Sequence, residues 1–275
     1  MDLILQALVI GIVQGLTEFL PISSSGHLIV LPYLFGWHDP FLTSLAFGVV
    51  VHVGTLVALL VYFWRDWARL VPAGLATIRD RSLAGDPDRK LAWMIAATMP
   101  PAIAAGLLLN DFFETEVRQP VLVALMLVVG AAILWMTDRF GRRAAGMEHL
   151  GFGGAFFVGC AQALALVPGI SRSGISISAG LALGLTREAA ARFSFLMAAP
   201  IIAGAGAYEI RKLLTGEAGV AVEMGPLIVG FAAATFAGLV AIAGLLRYLR
   251  GHPMTIFVAY RLALAVVVVV YFLNA

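Results

Sequence analysis

Apolar residues run almost without interruption at roughly 48–64, 91–109, 120–137, 194–210, 225–246 and 254–273. Each run is long enough to cross a hydrocarbon core of about 30 Å as a helix. The runs are continuous rather than alternating over segments of about ten residues, so they predict helices and not barrel strands. Six transmembrane helices are therefore expected. Two other stretches, 3–36 and 152–184, are apolar at their ends but broken in the middle by polar clusters. The first cluster spans Gln14-Gly15-Leu16-Thr17-Glu18-Phe19-Leu20-Pro21-Ile22-Ser23-Ser24-Ser25-Gly26-His27, and the second spans Gln162 to Gly174 and holds Ser171-Arg172-Ser173-Gly174.

The two clusters are one motif written twice. A shift of 148 positions superimposes them without a gap, with identities at Gly11/Gly159, Gln14/Gln162, Ile22/Ile170, Ser23/Ser171, Ser25/Ser173, Gly26/Gly174, Gly36/Gly184 and Phe47/Phe195. Biased composition supplies chance matches of Gly and Leu, but not a clustered Ser-x-Ser-Gly with its upstream Gln. Loop charge then orients the chain. Arg65, Arg69, Arg79, Arg81, Arg89 and Lys90 follow the first span, Arg139, Arg142 and Arg143 follow the third, and Arg247 and Arg250 precede the last, so these loops are expected on the cytoplasmic side. The loop with Asp111, Glu114 and Glu116 is acidic apart from Arg118 and should face out. Arg211-Lys212 is the exception, partly balanced by Glu209, Glu217 and Glu223.

With 138–149 and Arg187 to Arg192 on the same side, the segment between them cannot cross. It is expected to enter, turn at Ser171 to Gly174 and leave by the same face, and residues 3–36 to do the same from outside, turning at Ser23 to Gly26. Non-helical backbone at membrane depth survives only where protein buries it or it lines a cavity, so the turns should meet near the midplane. An odd number of spans follows each pair, which inverts the second half. The expectation is an all-α polytopic membrane protein, a single integral domain over 1–275. It comprises two inverted repeats, 1–148 and 149–275, each a re-entrant helix-turn-helix pair plus three transmembrane helices.

Composition agrees: 61% of residues are hydrophobic and 12% charged, and mean hydropathy is +0.96. Such a chain is not a soluble domain, and its net charge of +2 gives no reason to expect a nucleic-acid partner. Met1-Asp2 offers no basic leader region, so no cleavable signal is expected. The lone Cys160 permits no internal disulfide and is expected to pack inside an apolar helix.

In that setting the polar clusters are costly to bury, and intramembrane acids are functional by default. Gln14 and Glu18, four residues apart, share a helical face that Pro21 terminates. Glu18 could ligate a divalent cation or act as a base; the plainer reading is a Glu neutralised by protonation or paired with Arg172. Ser23, Ser24, Ser25 and Gly26 precede a restarting helix, so hydroxyls and free N–H groups converge as an anion cradle, although such residues are also ordinary helix caps. Ser171, Arg172, Ser173 and Gly174 add a guanidinium fork suited to phosphate oxygens. His27 can exchange protons near neutral pH. His52 reads as a packing group or a neighbour of the site, and Pro100-Pro101 as a kink or the broken start of a span. The Ala-rich and Gly-rich stretch Ala198 to Ala207 suggests close helix contact.

These segments closely resemble the two signature segments of the undecaprenyl-diphosphate phosphatase family of the BacA type, and the likeness extends over essentially the whole chain. The resemblance implies removal of the terminal phosphate of undecaprenyl diphosphate at the outer face of a bacterial inner membrane, recycling the lipid carrier for cell-wall synthesis, with a link to bacitracin resistance. By position it implicates Glu18, Ser24, His27 and Arg172 in catalysis, with Gln14, Ser23, Ser25, Gly26, Ser171, Ser173 and Gly174 around the substrate. Glu18 would hold a divalent cation, Mg or Ca. Many members have Glu where this chain has Gln14, and Gln where it has His52, so Glu18 alone is left to supply carboxylate chemistry. Expected partners are a polyprenyl diphosphate, membrane lipids and a second copy of the chain in a homodimer. Two routes stay open: Ser24 activated by His27 attacks phosphorus, or His27 and Glu18 activate water. The rival class is a secondary transporter or flippase of an anionic phospholipid, whose inverted repeats and broken helices are similar.

Overall fold

The structure, a computed structural model, describes residues 2–37, 39–115, 119–214 and 223–274. Among them the regular elements are helices, and an isolated bridge joins Ala145 to Leu185. In chain order these are α1 (Leu3–Phe19), α2 (Ser24–Phe35), α3 (Leu45–Tyr62), α4 (Trp64–Asp80), α5 (Pro87–Ala97), α6 (Met99–Thr115), α7 (Pro120–Phe140), α8 (Phe152–Ala163), α9 (Arg172–Ala182), α10 (Arg187–Leu214), α11 (Met224–Leu249) and α12 (Thr255–Asn274). Five candidate spans are long and apolar enough to cross a membrane, and a sixth is obtained if the bent pair α3–α4 is taken as one. All six runs picked out by hydropathy are helical. Large apolar side chains such as Leu107, Leu108, Phe140 and Phe236 stand exposed on the outside, as lipid solvation allows.

The two helix-turn-helix pairs are α1–α2 and α8–α9. At 1.5 Å per residue the 17-residue α1 is about 25 Å long, and the 11-residue α9 about 16 Å; both fall short of a bilayer core. The repeat is visible in their backbones. Ser23 and Ser171 both hold positive φ, at 76° and 74°, and Gly36 and Gly184 do so at 63° and 88°. In each turn the serine hydroxyl accepts from the N–H of the glycine three residues on, Gly26 at 3.3 Å and Gly174 at 3.1 Å.

Small residues set the closest helix contact. Gly11 and Gly15 on α1 lie against the α11 backbone, where a Cβ on Gly15 would stand 2.5 Å from the carbonyl oxygen of Ala234. Gly230, Ala234 and Gly238 repeat the same four-residue spacing on α11, so two small-residue stripes face each other. Gly159, the repeat partner of Gly11, presses on the Thr98 backbone, where the chain breaks between α5 and α6 just ahead of Pro100-Pro101. The helix is thus interrupted at Thr98, just ahead of the prolines, and α8 packs against that interruption. In Ala198 to Ala207 one face packs closely, with Ala198, Ala199, Ile202 and Gly206 buried, while Gly204 meets nothing.

Three expectations are corrected. The segment carrying Arg65, Arg69 and Arg79 is not a loop but the helix α4, bent 84° from α3. Its charge hid it from a hydropathy scan, yet its arginines alternate with the exposed apolar side chains Trp64, Val71, Leu75 and Ile78 in an amphipathic pattern. Cys160 is exposed on α8 rather than packed inside, because in lipid an apolar residue needs no protein partner. Of the expected outward acidic loop, Asp111 and Glu114 belong to α6, while Glu116 and Arg118 lie outside the described residues, as does Glu217.

Candidate active site

The site forms where the C-terminal end of α1 and the N-terminal ends of α2 and α9 converge. Leu20 closes α1, Pro21 prevents its continuation, and the chain reverses before α2. Glu18, on the last turn of α1, is 7% exposed and is the hub. Its Oε1 accepts from Arg172 Nη2 at 2.7 Å, so the acid of one repeat meets the cation of the other. Its Oε2 accepts the Ser24 hydroxyl at 2.7 Å and the Gln14 amide at 3.1 Å. The paired state weighed from sequence is thus present, but it does not stand apart from the serine chemistry. The same carboxylate holds the hydroxyl proton of Ser24, which is partly exposed on the first turn of α2.

Two buried polar atoms at the hub have no partner among the described residues: Arg172 Nη1 and Gln14 Oε1. Unpaired buried donors and acceptors cost about 1–3 kcal/mol each, so natural proteins rarely leave them without a reason. Here one donor of a permanently charged fork and one amide oxygen flank a carboxylate and a hydroxyl, an arrangement suited to an anionic ligand and its counter-ion.

The remaining predicted residues fall into distinct places. Ser23 and Ser171 spend their oxygens capping α2 and α9, and each also contacts the next serine but one, Ser25 or Ser173, at 3.3 Å. Ser25 is exposed. Ser173 donates to the carbonyl of Leu20 at 2.9 Å, tying turn to turn. Gly26 and Gly174 are the capped N–H donors. His27 does not engage Ser24. Its Nδ1 lies 2.7 Å from the Ser23 carbonyl and its Nε2 2.7 Å from the Tyr260 hydroxyl, with the two rings stacked at 5.6 Å. The Ser24 hydroxyl is held by Glu18 rather than His27, because the first turn of α2 turns the imidazole back toward the Ser23 carbonyl. His52, on α3, places Nε2 3.9 Å from Glu18 Oε2 while Nδ1 faces the Gly48 carbonyl, so it borders the carboxylate rather than merely filling space.

Sequence reasoning missed two residues of α12. Tyr260 supplies the His27 partner, and Arg261, 0% exposed, contacts the backbone of both turns. A lone arginine within an apolar span was the available signal. Among the described residues no group of three or more His, Cys, Asp or Glu side chains stands ready to hold a metal.

This is a polytopic membrane protein in which a buried acid, a part-buried hydroxyl and a guanidinium are gathered from two copies of one motif, a donor set suited to phosphate oxygens. The signature described as "Bacitracin resistance protein BacA" matches residues 7–267, and the chain belongs to that family. Proteins named undecaprenyl-diphosphatase are similar to it over almost their full lengths. The one from Gemmatimonas aurantiaca is 46% identical over 263 residues, 96% of each chain. That from Thermomicrobium roseum is 47% identical over 271 residues, 95% of each, and that from Moorella thermoacetica 45% over 270, 98% of each.

Proposed function

We propose that this chain is an undecaprenyl-diphosphatase, hydrolysing undecaprenyl diphosphate to undecaprenyl phosphate and inorganic phosphate. Full-length similarity to proteins of that name supports the reaction. The observation that carries the chemistry is the 2.7 Å hydrogen bond from Ser24 to Glu18, whose other oxygen is held by Arg172. A transporter needs an anion site but has no use for a serine poised on a carboxylate.

In the mechanism we infer, the diphosphate enters with its prenyl tail among the apolar helices, and the free Nη1 of Arg172 and the open N–H groups of the two turns take its oxygens. Ser24 Oγ attacks the terminal phosphorus, its proton passes to Glu18 Oε2, and the bond to the bridging oxygen breaks to release undecaprenyl phosphate. Glu18 hands that proton to the departing phosphate. Water then attacks the phosphoserine, giving one proton to Glu18, which returns it to Ser24 Oγ as the Oγ–P bond breaks and inorganic phosphate leaves. Most of the acceleration comes from charge neutralisation by prepositioned donors. Gln14 holds the second lone pair of Glu18 in place, and His27, braced by Tyr260, orders the first turn of α2. A divalent cation fits as a companion of the substrate, since Mg is commonly bound through one or two carboxylates plus phosphate oxygens. Glu18 and the orphaned Gln14 Oε1 would hold it, and it would neutralise diphosphate charge.

The finer architecture belongs to the same proposal. The short α1–α2 and α8–α9 pairs re-enter from opposite faces of the bacterial inner membrane, the two halves are inverted, and the site opens outward. Matching turn geometry at Ser23 and Ser171 and the arginine-rich segments around α4 and before α12 support this. The test is phosphate release from undecaprenyl diphosphate by the purified full-length chain in detergent, with and without chelator. Release is expected, and its absence with Mg, Ca or other divalent cations would overturn the reading.

A further inference from the structure

We infer that Arg261 is a positioning residue that sets the spacing between the two catalytic turns. It rises from the middle of α12, wholly buried, and makes no ion pair among the described residues. All its hydrogen bonds go to backbone carbonyls. Nε donates to Leu127 at 3.1 Å and Nη1 to Pro21 at 3.4 Å, while Nη2 is shared among Gly169 at 2.8 Å, Ile170 at 3.0 Å and Met126 at 3.4 Å. Pro21 lies three residues after Glu18, and Ile170 two before Arg172. One rigid, planar cation therefore grips the strand leaving the acid and the strand entering the arginine, and fixes both to α7 through Met126 and Leu127.

Burying an unpaired guanidinium in a membrane protein is costly, so a position that served only to fill volume would favour an apolar side chain. The surroundings are shaped to admit it. A Cβ on Gly130 of α7 would collide with the guanidinium, and one on Gly174 would stand 2.9 Å from Nη1. Gly174, expected from sequence at the substrate, thus has a second reason to be glycine. The other ties between the turns are Arg172–Glu18 itself and Ser173 to the Leu20 carbonyl. Without Arg261 the Ser173 hydrogen bond and the reacting pair itself would be left to hold the turns together, and a shift of about 1 Å at such a site costs on the order of 100-fold in rate. Lysine keeps the charge but cannot span five carbonyls from three segments with a planar fork.

The inference rests on reading the two turns as one phosphatase site, and its test separates the two. Arg261→Lys and Gly130→Ala are made in the full-length chain, and phosphate release from undecaprenyl diphosphate is measured together with hydrogen exchange in detergent. The expectation is a fall in kcat of tenfold or more with KM nearly unchanged, and faster amide exchange in 20–26 and 168–175 while α10 and α11 keep their protection. Combining Arg261→Lys with Arg172→Lys should lose much less than the product of the single losses, because the first acts through the second. Wild-type kcat and exchange in both variants would overturn the clamp. So would multiplicative losses in the double variant, or loss of protection throughout the bundle in both single variants, which would make Arg261 a general stabiliser. If the wild type released no phosphate, the phosphatase reading would fail and the exchange measurement alone would decide the clamp.

Discussion

Glu18 concentrates the account because a single carboxylate serves Arg172, Ser24 and Gln14 at once. Replacing it with Gln removes the proposed base and leaves the part-buried Arg172 guanidinium uncompensated. Loss of a general base is worth about 10²–10⁴-fold in kcat, and breaking a buried pair costs about 3–5 kcal/mol of stability. Both a rate assay and a melting curve are expected to register Glu18→Gln. Arg172→Lys keeps charge but loses the bidentate reach from Glu18 to substrate, so phosphate release should fall about 10²–10³-fold. Tyr260→Phe deletes only the hydroxyl facing His27 Nε2. One net hydrogen bond is worth about 1 kcal/mol, predicting a loss of about three- to tenfold; an unchanged rate would remove Tyr260 from the site. At this scale the sequence was informative where a residue type was out of place in lipid. Glu18, Arg172 and the serines announced themselves by their cost, while the pairing of Ser24 with Glu18 rather than His27 depended on how the first turn of α2 aims its side chains. Arg261 carried the same signal of cost, but nothing local revealed that its donors would be spent on distant carbonyls.

At the scale of elements, hydropathy found the spans because a membrane demands continuous apolar helices, and the repeat found the two broken pairs because their turns need the same unusual backbone at Ser23 and Ser171. What escaped was α4, whose arginines place it below any hydropathy threshold although its apolar face is plain once helical period is considered. The α1–α11 contact was legible but unread: Gly11, Gly15, Gly230, Ala234 and Gly238 stand at four-residue spacing. That contact positions Glu18, one turn beyond Gly15. Gly15→Leu should force the helices apart, at a cost of about 1–3 kcal/mol of overpacking. The expected outcome is a lower midpoint of thermal unfolding together with reduced turnover. A variant that melts like the wild type would show that α1 is held by other contacts.

For the whole molecule, two halves supply unlike parts to one centre. The first brings acid, hydroxyl and imidazole; the second keeps the amide as Gln162, has Leu166 where the acid would be, and brings the guanidinium. If a cation accompanies the substrate, chelation should lower phosphate release and added Mg or Ca should restore it, whereas a chelator-insensitive rate would assign all charge neutralisation to Arg172 and the turn N–H groups. The most direct measurement is acid quenching of the full-length enzyme within milliseconds of mixing with undecaprenyl diphosphate labelled in its terminal phosphate. The account predicts label on the peptide containing Ser24, absent in Ser24→Ala together with nearly all turnover. Label found only as free phosphate, with Ser24→Ala turning over like the wild type, would contradict it.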